Sequence, residues 1–108
     1  MTLDEVLGAL KSLNDKVESA GEGFIKQFKE KYGVPDSAEL LQAFQEGFLT
    51  LTTNAEMEVL MKYGISSDVF SKNIMKYQES PLITKAIHDM QLSQQRLLLS
   101  NGIQFQFQ

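Results

Sequence analysis

The stretch Asp36–Gly64 carries the densest apolar run of the chain, and its spacing admits one regular structure, the α-helix. Leu40, Leu41, Phe44, Phe48 and Leu51 recur at three- and four-residue steps, which places them on one helical face. Lys-Tyr-Gly followed by an aliphatic residue stands on both sides, at Lys31–Val34 and at Lys62–Ile65. Glycine enters the left-handed region without steric penalty and so ends a helix, and the aliphatic residue after it supplies the usual apolar contact. We read these as one stop used twice, with Pro35 reinforcing the first. The segment between them is expected to be the packing hub of a helical domain.

The interior of that segment is less uniform. Thr50 to Asn54 is rich in β-branched and cap-forming residues. Thr53 and Glu56 have the spacing of a capping box, in which each side chain bonds the other's backbone amide. The segment is therefore expected to divide into two helices, about 37–51 and 54–63. Asp36 or Ser37 opens the first, with Glu39 completing a looser box on Asp36.

Upstream, Thr2 and Glu5 form a capping-box pattern, and Leu3, Val6, Leu7, Leu10, Leu13 and Val17 follow at helical steps. Ser19 to Gly23 then places two glycines within three residues, which costs about 2 kcal/mol against alanine inside a helix. A break or kink is expected there. Phe24, Phe28 and Tyr32 share one side of the next helix, as a buried stripe. Downstream, Ser66, Ser67 and Asp68 offer caps for a helix bearing Val69, Phe70, Ile74 and Tyr77. Ser80-Pro81 opens a last helix with Ile83, Ala86, Ile87, Met90 and Leu97 inward. Asn101-Gly102 ends it.

From Ile103 to Gln108 the pattern changes from helical to strict alternation, the mark of a strand. A lone strand of that length is not stable in water. The tail is thus expected to be non-helical, disordered or packed as irregular chain, with strand addition to a partner or to a second copy as its functional reading. Phe105 and Phe107 are its candidate contact residues. The chain is expected to comprise a helical domain, 1–102, and an uncharged tail, 103–108.

Charge bounds the partners. The net charge is −4, and eleven acids face five lysines in residues 1–60. Between Tyr32 and Met61 stand five acids and no base. Phosphate binding needs a concentrated basic face, so nucleic acid is not expected as a partner. The first helix has two lysines against four acids, which argues against the basic amphipathic helix that binds membrane surfaces. No basic start followed by an apolar run marks a signal peptide. A cytoplasmic location is expected, and the lack of cysteine fits it. The acids of the central segment, Glu39, Glu46 and Glu56 above all, form the candidate docking face for a protein partner.

Catalytic and cofactor chemistry finds few candidates. His88 is the single histidine, and Asp89 beside it points about 100° away around a helix. With one histidine and no cysteine, a metal would need carboxylates, and no calcium-loop pattern is present. Gly21-Glu22-Gly23 lacks the lysine of a phosphate-binding loop. No metal, cofactor or catalytic residue is expected. The five methionines are read as core filling, with a pliable binding groove as the sharper alternative.

These readings converge on an all-α, single-domain bundle of five or six short helices with a polar, non-helical tail. The function expected is a non-catalytic interaction or assembly module, acting through a protein partner or self-association. The alternatives are a small carrier of an apolar ligand such as a lipid and, further off, an enzyme.

Overall fold

A computed structural model describes residues 1–103, and over these the chain is four helices with no strand. They are α1 (Leu3–Tyr32), α2 (Ala38–Tyr63), α3 (Ser67–Lys76) and α4 (Pro81–Ser100). The expected five or six helices are therefore reduced to four, because two anticipated interruptions are not made.

The first is at Ser19–Gly23. Helix α1 runs through both glycines for thirty residues. Gly21 is buried where all three long helices meet: a Cβ there would stand 2.7 Å from a methyl of Leu97 and 3.4 Å from the Phe48 ring. Packing gained by this close approach offsets the backbone entropy that glycine loses in a helix. Gly23 has nothing within 4 Å of its Cβ position and gains no such compensation. Gly23→Ala should accordingly stabilise the protein by about 0.5–1 kcal/mol, read from the urea midpoint.

The second is at Thr50–Asn54. Thr50 Oγ1 donates to the Glu46 carbonyl at 3.0 Å and Thr52 Oγ1 to the Leu49 carbonyl at 2.8 Å. These hydroxyls bond back along the helix instead of capping a new one. Ala55 and Leu51 meanwhile face the core, so burial continues across the supposed hinge. Thr53 and Glu56 lie in mid-helix, and their expected capping box is not used.

Caps account for most of the element boundaries. Thr2 and Glu5 make the reciprocal box, with both bonds formed. Ser37 caps α2, its hydroxyl accepting from the Leu40 amide, so the looser box on Asp36 is superseded. Ser66 does the same for α3 through the Val69 amide. Ser80 makes no side-chain cap, and Pro81 opens α4 where no amide partner is required.

The two Lys-Tyr-Gly stops differ. Gly64 is left-handed, with the Ile65 amide reaching back to the Leu60 carbonyl and Gly64 to Met61, a Schellman closure. Gly33 has φ 77° but an extended ψ of −166°, and Val34 after it is exposed while Pro35 is buried. The true counterpart of Gly64-Ile65 is Gly102-Ile103. There the Ile103 amide donates to the Leu98 carbonyl at 2.9 Å and the isoleucine is buried. The first residue of the expected tail thus completes the α4 cap. The strand expected beyond it, with Phe105 and Phe107, lies outside the described residues.

The long helix α1, not the central segment, is what the others share. It runs antiparallel to α2, from Phe28 beside Phe44 to Gly8 beside Tyr63, and roughly parallel to α4, from Asn14 beside Ser93 to Lys29 beside Asn101. The short α3 closes the end near Met1, where Asn73 Oδ1 accepts from the Met1 nitrogen and the Tyr77 hydroxyl donates to the Met1 carbonyl. Thirty residues at 1.5 Å each span about 45 Å, which sets the 43 Å long axis of the molecule. The core is a single cluster built from Val6, Leu10, Val17 and Ile25 of α1 with Phe44, Val59 and Leu60 of α2, Phe70 of α3, and Ile83 and Leu98 of α4. The aromatic stripe packs inside it in part. Phe28 is buried and Phe24 half-buried, but Tyr32 at the end of α1 is half exposed.

Candidate functional site

Helix α2 has a core face and an opposite face with a composition of its own. Phe44, Phe48, Ala55 and Val59 turn inward. Each residue advances about 100° around the helix, so Leu49 is rotated well away from Phe48, and Leu49, Met57 and Met61 are spread over about 120° of the side away from Phe44. All three are left to solvent, at 66%, 59% and 78% exposure. The expectation that methionines at helical spacing fill the core is therefore corrected: Met57, Met61 and Met75 are exposed, and Met90 alone of the helical methionines packs against the core.

Glu39 and Glu46, seven residues apart, lie on the same outer face and are exposed. Among the described residues neither forms an ion pair, and the Glu46 carboxylate accepts only a long bond from Gln42. Glu56 does not join them. It is turned toward α3, where it accepts a 2.7 Å bond from the Ser67 hydroxyl and helps fix the α2–α3 corner. Of the five expected contact residues, then, two share a face, one is engaged within the fold, and Phe105 and Phe107 are outside the described region.

Beside Met57 and Met61 the α2–α3 corner forms a groove of about 360 Å³, with Leu60 and Ile65 among its lining and Ser66 and Ser67 on the α3 side. A larger cleft of about 610 Å³ runs between α1 and α2, over Ala20, Gly47, Thr50 and Ala55. Lys16 and Glu58 line it and pair with each other across it. A third, about 300 Å³ and more polar, lies between α1 and α4 beside Glu18, Glu22 and Arg96. His88 is exposed on α4 and lines none of the three. Among the described residues no three His, Asp or Glu side chains gather as a metal site would require, and no helix is long and apolar enough to cross a membrane.

Two carboxyls have depressed pKa values. The Lys16 ammonium holds Glu58 below its ordinary 4.5, first by hydrogen bonding and then by charge. The Thr2 backbone amide and hydroxyl hold Glu5 below the same value. A depressed carboxyl adds stability that is fully present above the ordinary value and is lost as pH falls through the lowered one. In Lys16→Ala, the Glu58 carboxyl should titrate back near 4.5, as followed by its side-chain NMR shift. The parent–variant difference should shrink as salt is raised, since the pair is exposed to screening.

No family model matches the chain, and neither a curated protein nor a solved structure shows significant similarity to it. The site is defined by its own geometry. What sequence reading missed was the exposure of Leu49, Met57 and Met61. The signal was available, because placing α2 on one uninterrupted helix separates those three from Phe44, Phe48 and Val59 by angle alone.

Proposed function

We propose that this chain is a non-catalytic protein-interaction or assembly module, acting in the cytoplasm, whose docking surface is the outer face of α2. The observation that carries this reading is the set of long apolar side chains, Leu49, Met57 and Met61, held in solvent on one side of α2 that also carries Glu39 and Glu46, neither of them in an ion pair among the described residues. Scattered single apolar residues need no explanation on a surface, but three long ones on the outer side of one helix, two of them one turn apart beside an apolar groove, fit an interaction site. Methionine suits such a face because its unbranched thioether adapts to a partner's shape. Acids at one end of the set add orientation and selectivity more than affinity.

The test uses the full chain as bait in an extract of its source cells, against the variant Leu49→Glu/Met61→Glu and a control, Lys85→Glu on α4. All three should give the same helical circular dichroism, because none of the replaced side chains is buried. A specific protein retained by the parent and the control but lost with the α2 variant supports the reading. Equal retention by all three overturns it.

A further inference from the structure

The occupant of the α2 face can be narrowed, a step that rests on the docking reading above. Leu49, Thr53, Met57 and Met61 succeed one another at four-residue steps, so they form a ridge inclined to the helix axis, with members about 6 Å apart in rise and spread over about 120° of the outer face. At its C-terminal end it opens into the 360 Å³ groove lined by Leu60 and Ile65. At its other end, Glu46 and Glu39 lie about 22 and 33 Å from Met61 by helical rise. From Ala38 to Met61, α2 carries no basic residue at all.

That charge distribution discriminates among occupants. Two copies meeting through this face would bring Glu39 and Glu46 against a second α2 whose single base is Lys62 in the last turn, so acids outnumber bases across the contact, and like charges across an interface cost affinity. An anionic membrane surface is repelled for the same reason. A cationic polypeptide is attracted. A four-residue ridge beside a groove is a surface on which an amphipathic helix packs, its own i, i+3, i+4 and i+7 anchors interlocking with the ridge.

We propose that the outer face of α2 binds an amphipathic helix of another protein, its apolar side seated on Leu49, Met57 and Met61 and its flanking lysines or arginines facing Glu39 and Glu46. The partner is then a segment of about 20 residues, long enough to span the ridge and reach the acids.

The experiment titrates the isotope-labelled full chain with two synthetic helices of that length, identical in their leucine row, one flanked by lysines and one by glutamates. The lysine helix should bind saturably, with amide shifts at Thr53, Met57, Met61 and Ile65, and at least about tenfold more tightly than its glutamate twin. Glu39→Gln/Glu46→Gln should weaken it by about fivefold and flatten its salt dependence. Met57→Ser/Met61→Ser should abolish saturable binding, which a merely electrostatic association would survive. Equal binding of the two helices, shifts on another face, or no saturable binding at millimolar peptide overturns the proposal. So does a concentration-dependent dimer, or retention on anionic vesicles, that is lost in the α2-face variants. If the bait experiment succeeds while both helices fail, the occupant is wrong and the docking face stands. If the bait experiment fails, both readings fall.

Discussion

Phe44→Ala should lower the free energy of unfolding by about 3–5 kcal/mol, the range found when a fully buried phenylalanine is truncated and its surroundings relax only in part. Phe44 has no exposure, and its ring centroid lies 5.2 Å from those of Phe24 and Phe28 and 5.9 Å from that of Phe48. The contact with Phe28 is edge-to-face and that with Phe48 is stacked, so each ring fixes the tilt of the next. Removing the central ring leaves a void that three rigid neighbours cannot close without giving up their own contacts. Urea unfolding of the variant, compared at unchanged slope, measures the loss. A change below about 1 kcal/mol would mean that the aromatic cluster does not organise the α1–α2 interface.

Gly47→Ala should also destabilise, against the expectation from helix propensity. Alanine in place of a mid-helix glycine ordinarily gains about 1 kcal/mol. At this position, however, a Cβ would stand 2.6 Å and 2.9 Å from two atoms of the Phe24 ring. That ring is flanked by Phe28, Phe44 and Phe48, so it cannot swing aside as the end of a flexible side chain can. Overpacking of this kind costs about 1–3 kcal/mol, and set against the propensity gain it leaves a net loss of up to about 2 kcal/mol. Combining Gly47→Ala with Phe24→Leu should recover much of it, giving a coupling energy in the double-mutant cycle of about 1 kcal/mol or more. Additive effects would show that the ring yields freely. The contrast with Gly23→Ala makes the point sharply: the same substitution in the same kind of helix has opposite sign according to what lies over the Cα.

That contrast also explains where the sequence was legible. Local chemistry was read well: the Thr2–Glu5 box, the Ser37 cap, the Gly64 stop and the Pro81 start depend on residues within one turn. The all-α class and the inward positions Val6, Leu10, Val17, Phe44 and Ile83 followed from period alone. The continuity of α1 through Gly21 did not, because the compensation comes from Leu97 and Phe48, residues far away in the chain. The Thr50–Asn54 hinge failed for a similar reason: threonine hydroxyls satisfied along the helix look the same in sequence as threonine hydroxyls opening a new one. Misdividing α2 then hid the exposed side of that helix. Two short helices leave the relative placement of Leu49 and Met61 undefined, whereas a single one sets both away from Phe44. Of the proposed contact residues, Glu39 and Glu46 share the outer face of α2, while Glu56 accepts from Ser67, a residue beyond the Gly64 turn that its own spacing does not reveal.

The attachment of α4 has a consequence for how the molecule opens. Its principal packing partner is α1, and it makes no comparable interface with α2 or α3. Within that interface Asn14 makes one long bond to Ser93, and its other polar atom, Oδ1, is buried without a partner among the described residues. The far end is held by the Ile103 closure and the Lys29–Asn101 bond. Elements joined to the remainder through one imperfect interface unfold locally at a free energy below the global value. In native-state hydrogen exchange, the amides of α4 should therefore form a cooperative group that exchanges ahead of the α1–α2 pair. The protein then comprises two thermodynamic units on one spine, and the proposed docking face belongs to the more stable of them.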